Sequence, residues 1–161
     1  MPSASVDTVS VIVRRAVPAD AARLAALSGV LGYPVDEGGF GRRLEAILAR
    51  PQDVVLVAEP SPGEVVGWLH GQEQELLESG RRCEIVGLVV DAAQRSRGTG
   101  RRLVQAVEAW AREHGLDLMT VRSNVIRTES HPFYERLGYT RNKTQHAYRK
   151  ALGRAESGSP A

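Results

Sequence analysis

The sequence predicts a single α/β domain organised around one strand, one anion-binding turn and one helix. Three observations carry that prediction. The first is the stretch EIVGLVVDAAQRSRGTGRRL, residues 84–103. Its β-branched apolar run, Ile85 to Val90, has the composition of a buried strand, residues 91–99 are polar and glycine-punctuated, and residues 101–114 have helical spacing. The second is that strand-like and helix-like segments alternate through the rest of the chain, the pattern of a sheet with helices packed on it. The third is size: 161 residues with 42% hydrophobic content make one domain with a real core and leave no room for a second.

Taken in order, residues 9–14 alternate as a first strand, and residues 1–9 are expected to be disordered. Pro18 opens a helix that carries Leu24, Leu27 and Val30 at helical spacing and stops near Gly32. LGYPVDEGGF interrupts the pattern, so Tyr33 to Phe40 reads as a shaped loop before a second helix over residues 41–49, ended by Pro51. Residues 54–58 and 65–70 read as a hairpin turned by Pro62 and Gly63, with the second strand running on towards Leu76 and a loop over residues 78–82. After the anion-binding turn, Leu103, Val104, Val107, Trp110 and Ala111 share one helical face, and Gly115 closes that helix. Residues 116–121 form another strand, parallel to the central one through a right-handed crossover. Residues 132–137 make a short helix stopped by Gly138, and the segment from Tyr139 on, including residues 145–150, supplies the last strands. The ordered domain is thus expected over residues 10–152, with 153–161 a disordered tail.

The net charge of +2 conceals an uneven distribution. Arginines crowd residues 95–102, while Glu73, Glu75, Glu78 and Glu84 lie upstream. A basic anion site beside an acidic mouth would suit a phosphorylated cofactor and a cationic substrate; two solvated faces account for the same charges equally well. No apolar run reaches the length that spans a bilayer, and MPSASVDTVS lacks the regions of a signal peptide. The single cysteine, Cys83, cannot form an intramolecular disulfide, which fits a reducing compartment. The expectation is a cytoplasmic protein with no membrane partner. The four histidines are scattered and there is no cysteine pair, so no metal site is expected.

The turn itself is chemically specific. Gly98 and Gly100 allow a tight bend and close approach of backbone to a ligand. A helix starting near Gly100 aims free N–H groups and its positive dipole end at the same point, where Arg95, Arg97, Arg101 and Arg102 add charge. Of the familiar anion loops, the dinucleotide fingerprint fails because Leu103 stands where its third glycine belongs, and no Gly-Lys-Ser or Gly-Lys-Thr occurs for a nucleotide triphosphate loop. What is present is R-x-x-G-x-G: Arg95, Ser96, Arg97, Gly98, Thr99, Gly100. Here the chain resembles the GNAT superfamily of acyl-CoA N-acyltransferases, whose pyrophosphate loop reads [Q/R]-x-x-G-x-[G/A].

A second motif supports the resemblance. In RTESHPFYERLGY, residues 127–139, Phe133, Tyr134, Gly138 and Tyr139 fall at the spacing of the GNAT pattern N-x-x-A-x-x-[FL]-Y-x-x-x-G-[FY]. Arg127 replaces the usual asparagine and Ser130 the usual alanine, with Asn124 nearby as a substitute. The segments EI…LVV, SNVIR, H-x-FYERLGY and AYRKAL are similar to small bacterial members, the aminoalkylphosphonate N-acetyltransferase type among them.

The resemblance implies a mixed central sheet of about six to seven strands with a splayed parallel pair, flanked by about four helices. It also implies acetyl-CoA as acetyl donor, a primary amine as acceptor, direct attack in a ternary complex, and a homodimer, since GNAT enzymes are often dimers. Leu88 would offer its N–H to the acetyl oxygen, and Val90, with Val89 beside it, would bind the pantetheine arm like an added strand. Arg95 to Arg101 would hold the pyrophosphate chiefly through backbone N–H groups.

An alkyl ammonium of pKa about 10 is almost wholly protonated at neutral pH, so transfer to nitrogen needs a proton acceptor. Glu84 is the acid of the central strand, placed by alternation on one face with Val86, Leu88 and Val90. It falls where histone-acetylating members carry their base. A strand-end acid paired with Arg81 or Arg82 is the structural alternative, and His70 and His131 are rival bases. Tyr134 is the candidate acid, protonating the leaving thiolate; a core tyrosine beside Phe133 is its alternative. Two other functions compete with the enzyme: a non-catalytic acyl-CoA-binding regulator, and a nucleic-acid binder, which the absence of aromatics among the arginines disfavours.

Overall fold

A computed structural model describes residues 11–30, 36–60, 63–94, 97–122 and 130–153. The chain divides after Arg122 into two compact units. In the first, five strands form one sheet: β1 (Val11–Arg15), β2 (Asp53–Pro60), β3 (Gly67–Leu76), β4 (Gly80–Val90) and β5 (Met119–Val121), in that spatial order. Neighbours are antiparallel except β4 and β5, which run parallel as expected from the helix between them. That unit also holds helices α1 (Ala21–Val30), α2 (Glu37–Leu48) and α3 (Thr99–Glu113), and the second unit holds α4 (Ser130–Arg136).

The two sheet faces are covered differently. On one, α3 lays down Leu103, Val104, Val107, Trp110 and Ala111, all buried, as the spacing predicts. It approaches β3 closely because β3 carries glycines there: a Cβ on Gly71 would stand 2.5 Å from Val107 Cγ2. On the other face Leu24, Leu27, Leu44, Val55, Val57 and Val89 form a core against which Phe40, Ile47 and Trp68 pack. With both faces covered, β2 is buried from Asp53 to Ala58, which explains its unbroken apolar run.

The structure corrects several expectations. α2 begins at Glu37, not residue 41, because Phe40, Leu44 and Ile47 pack at helical spacing and override a glycine cost of about 1 kcal/mol per residue. The expected loop over residues 78–82 shrinks to a turn, with Gly80 at φ 76° starting β4. Five strands occur among the described residues, not six to seven: residues 140–153 carry no strand and are exposed. Their run TRNKTQH offers no alternating apolar face to pair against a sheet.

The consequential correction lies in β4. His70 faces Gly87 across the ladder, but Gly71 faces Ile85, so Val86 is an extra residue, a β-bulge. Side-chain parity changes there. Glu84 shares its face with Gly87, Val89, Trp68, His70 and Gln72, whereas Leu88 and Val90 lie opposite Leu69 and Gly67 on the α3 face. The alternation that would put Glu84 beside Val86, Leu88 and Val90 is therefore broken.

Candidate active site

Three features of the first unit converge on β4. The first is its edge: among the described residues, β5 pairs with Cys83, Glu84 and Ile85 only. Residues 86–90 run on past the last paired position, and Val86 is 44% exposed. A strand edge with unpaired backbone groups is a ready template for an extended ligand.

The second is the start of α3. Gly98 is its N-cap, at φ 83°, a left-handed conformation that a residue with Cβ adopts at a cost, and nothing lies within 4 Å of where a Cβ would stand. The first amide bonded back into the helix is that of Arg102, to Gly98 O at 3.0 Å. The amides of Thr99, Gly100 and Arg101 therefore have no backbone partner among the described residues, as the first-turn donors of a helix. Arg97 and Arg101 are exposed beside them. Thr99 is 2% exposed with its hydroxyl unpartnered. Arg102 points elsewhere, donating to the Val11 carbonyl. A left-handed glycine cap, open space in front of it and three first-turn amides fit a pyrophosphate. Arg95 and Ser96 lie outside the described residues, as do Asn124, Tyr33 and Pro34.

The third feature is a cavity of about 120 Å³ between α1, α2 and the sheet, lined by Leu24, Phe40, Arg43, Leu44, Val55, Trp68 and His70, with Ile47. Trp68 covers Gly87, whose Cβ, if present, would stand 2.8 Å from the indole. Behind His70 lies Asp53, its side chain 1% exposed, with Oδ2 3.6 Å from His70 Nε2 and 3.5 Å from Arg50 Nη1. Burial pushes the His70 imidazole below its ordinary value, Asp53 pulls it back up, and Arg50 pushes it down.

Glu84, 7% exposed, is on the same face. Its Oε2 accepts from Gln74 Nε2 at 2.9 Å, and Oε1 faces Arg122 Nε at 3.6 Å. The partners expected for it are engaged elsewhere: Arg81 donates to Glu73 at 2.6 Å and Arg82 to Gln74 at 3.3 Å. The acidic mouth is thereby divided. Glu73 and Glu75 share the α3 face with Gly71, and only Glu84 remains beside His70.

In the second unit, Tyr134 sits on α4 against Phe133 and Tyr139, ring centroids 5.0 and 5.9 Å away. Burial pushes its phenol above the ordinary value. His131 is on the same helix.

The chain belongs to the GNAT acetyltransferase family, whose model matches residues 25–139. It is 30% identical over 131 residues to an aminoglycoside N(6')-acetyltransferase type 1 of Stenotrophomonas maltophilia, covering 79% of this chain and 84% of that one. Among solved structures, a putative acetyltransferase from Agrobacterium tumefaciens is 26% identical with a TM-score of 0.77, over 86% of this chain and 99% of that one. The aminoglycoside acetyltransferase AAC(6')-Iy, in complex with a coenzyme A bisubstrate analogue, shares the fold at 19% identity, with a TM-score of 0.80 over 89% and 99%. Acetyl-CoA is the family's donor. Two of these three are aminoglycoside acetyltransferases, and none is named for aminophosphonates. No described helix is long and apolar enough to cross a membrane, and no described group of side chains could hold a metal ion.

Sequence reasoning passed over Trp68, Asp53, Gln74 and Arg122. The available signals were a tryptophan two residues before a histidine in one strand, and an acid opening an otherwise apolar strand.

Proposed function

We propose that the chain transfers an acetyl group from acetyl-CoA to a primary amine by direct attack in a ternary complex. The observation that carries this reading is β4: among the described residues its pairing with β5 ends at Ile85, residues 86–90 have no strand partner on that side, and the same strand leads to the glycine-capped start of α3. In this reading the amides of Thr99, Gly100 and Arg101, with Ser96, Arg95 and Arg97, hold the pyrophosphate. Val89 and Val90 offer backbone groups to the pantetheine arm, and Leu88 N–H polarises the acetyl carbonyl. Asn124 is the remaining contact proposed for the cofactor. The amine nitrogen bonds to the acetyl carbon as the carbon–sulfur bond breaks. The amine's proton goes to a base, for which Glu84 and His70 are the candidates on the cavity face, and the thiolate takes its proton from Tyr134. A phenol raised by burial keeps its proton at neutral pH and so has one to share with the departing thiolate.

Two acceptors follow from two observations. The relative at 30% identity supports an aminoglycoside. The cavity supports an amine on an apolar body: six of its eight lining residues are apolar, and Arg43 is its fixed charge. A cytoplasmic homodimer completes the reading. The test is a thiol-release assay with acetyl-CoA against aminoglycosides, aminophosphonates, polyamines and apolar primary amines. Turnover is expected, and Tyr134→Phe should lower kcat about 10²-fold or more while acetyl-CoA binding persists. Tight acetyl-CoA binding without turnover on any amine would make the protein a regulator, and no binding at all would refute the anion site.

A further inference from the structure

Six buried side-chain atoms among the described residues lack a hydrogen-bond partner, and four of them belong to Asp53, Trp68 and His70. A fold rarely leaves buried polar groups unpaired, and here they gather behind and around one cavity. We propose that Asp53 and His70 form the proton-accepting pair for the acceptor amine, with His70 taking the proton from the cavity side and Asp53 orienting the ring and stabilising the imidazolium. The proposal rests on the acetyltransferase reading and deepens it, because it moves the base from the central strand to its neighbour.

Position supports it. His70 lies directly opposite Gly87, one strand spacing of about 5 Å from the bulge, past which β4 has no partner on its β5 side among the described residues. Nε2 is turned to the carboxylate at 3.6 Å and the ring lines the cavity, so Nδ1 is the nitrogen assigned the acceptor's proton. The proton moves from the ammonium to Nδ1, leaving the nitrogen lone pair free to attack, and the imidazolium charge then faces the Asp53 carboxylate 3.6 Å from Nε2. Glu84 is less suited, since both its oxygens already face donors, Gln74 and Arg122. The charged groups about the ring are Asp53 and, beyond it, Arg50; Arg43 across the cavity from α2; and Glu84 two pairs further along the β3–β4 ladder, on the same face. Burial and Arg50 favour the neutral ring, which leaves it free to accept a proton at neutral pH, while Asp53 favours the charged one.

The experiment is the pH profile of kcat/KM for the best amine in wild type, His70→Gln, Asp53→Asn and Glu84→Gln. Acetyl-CoA binding is measured by calorimetry on each, since a misfolded chain would lose it. His70→Gln should lower kcat about 10²- to 10⁴-fold and abolish the limb that falls towards acid. In Asp53→Asn the limb should persist but move to lower pH, because loss of the carboxylate destabilises the imidazolium, and kcat should fall while the KM for acetyl-CoA holds. Glu84→Gln should retain the limb. NMR titration of the His70 ring, lower in Asp53→Asn than in wild type, would show the same coupling without turnover. A limb that survives His70→Gln, or stays in place in Asp53→Asn, overturns the pair while leaving the acetyltransferase reading standing. A wild type that acetylates no amine overturns both.

Discussion

Gly87→Ala tests whether the bulge and the cavity are mechanically linked. Gly87 is the position over which Trp68 lies, and an added Cβ would stand 2.8 Å from indole Cζ3 and 2.9 Å from Cη2. Carbon atoms settle at about 3.5–4.0 Å, so the ring must retreat by about 0.7–1 Å. The indole is rigid, its tip cannot bend aside, and the open space beside it is the cavity that it lines. Overpacking of this kind costs about 1–3 kcal/mol. For a chain of this length each kcal/mol corresponds to about 2–4 °C of melting temperature. The variant should therefore melt several degrees lower and bind the acceptor more weakly, raising the KM for the amine. Acetyl-CoA affinity should hold, since the start of α3 is untouched. Differential scanning calorimetry, amine saturation kinetics and acetyl-CoA titration separate these effects. An unchanged Tm with an unchanged amine KM would mean that the indole does not rest on Gly87, and the link between bulge and cavity would fall.

Gly98→Ala should destabilise the fold by about 1–2 kcal/mol, from the left-handed backbone alone because the space around it is open, and should weaken acetyl-CoA binding; calorimetric titration and urea unfolding read both. Asp20 accepts from Arg14 at 2.8 and 3.0 Å and from the Val17 amide at 2.8 Å, and chiefly Arg14 holds its carboxyl below the ordinary value. Its folded pKa being the lower one, the stability it adds is present at neutral pH and lost as pH falls through that value. Urea unfolding of wild type and Asp20→Asn should therefore differ at pH 7 and converge below about pH 4. Cys83 is fully buried, and burial pushes its thiol up to about 11. It should resist thiol reagents at pH 8 in the native state and react at the rate of unfolding; rapid native labelling would contradict its placement.

Where sequence reasoning succeeded, the signal was local. Residues 99–113 announce themselves as a helix because Leu103, Val104, Val107, Trp110 and Ala111 fall on one stripe, and the cap before them because Gly98 sits where a left-handed residue is required. The last strands failed because a polar run was assigned by its place in the chain, with no alternation to support it. The cavity pair was hidden for a different reason. Asp53 and His70 are far apart in sequence, and only the β2–β3 register, which pairs Asp53 with Gln72 and Val55 with His70, brings carboxylate and imidazole within 3.6 Å. No periodicity argument yields a register between strands.

The bulge was hidden most thoroughly, although a glycine inside a strand run was there as its signal. EIVGLVV reads as unbroken alternation, and a single extra residue reverses it. That residue has two effects at once. It sends Leu88 and Val90 to the face under α3, so that they anchor the strand, and it leaves Glu84, Gly87 and Val89 on the cavity side. Because Gly87 has no side chain, Trp68 can cover it and His70 can stand opposite without obstruction. A ladder that kept Val86 in regular alternation from Glu84 would put Val86, Leu88 and Val90 on the cavity face and fill it, instead of leaving Leu88 and Val90 opposite Leu69 and Gly67 on the α3 face. The open space beside His70 and the firm seat of α3 on the sheet are consequences of the same inserted residue.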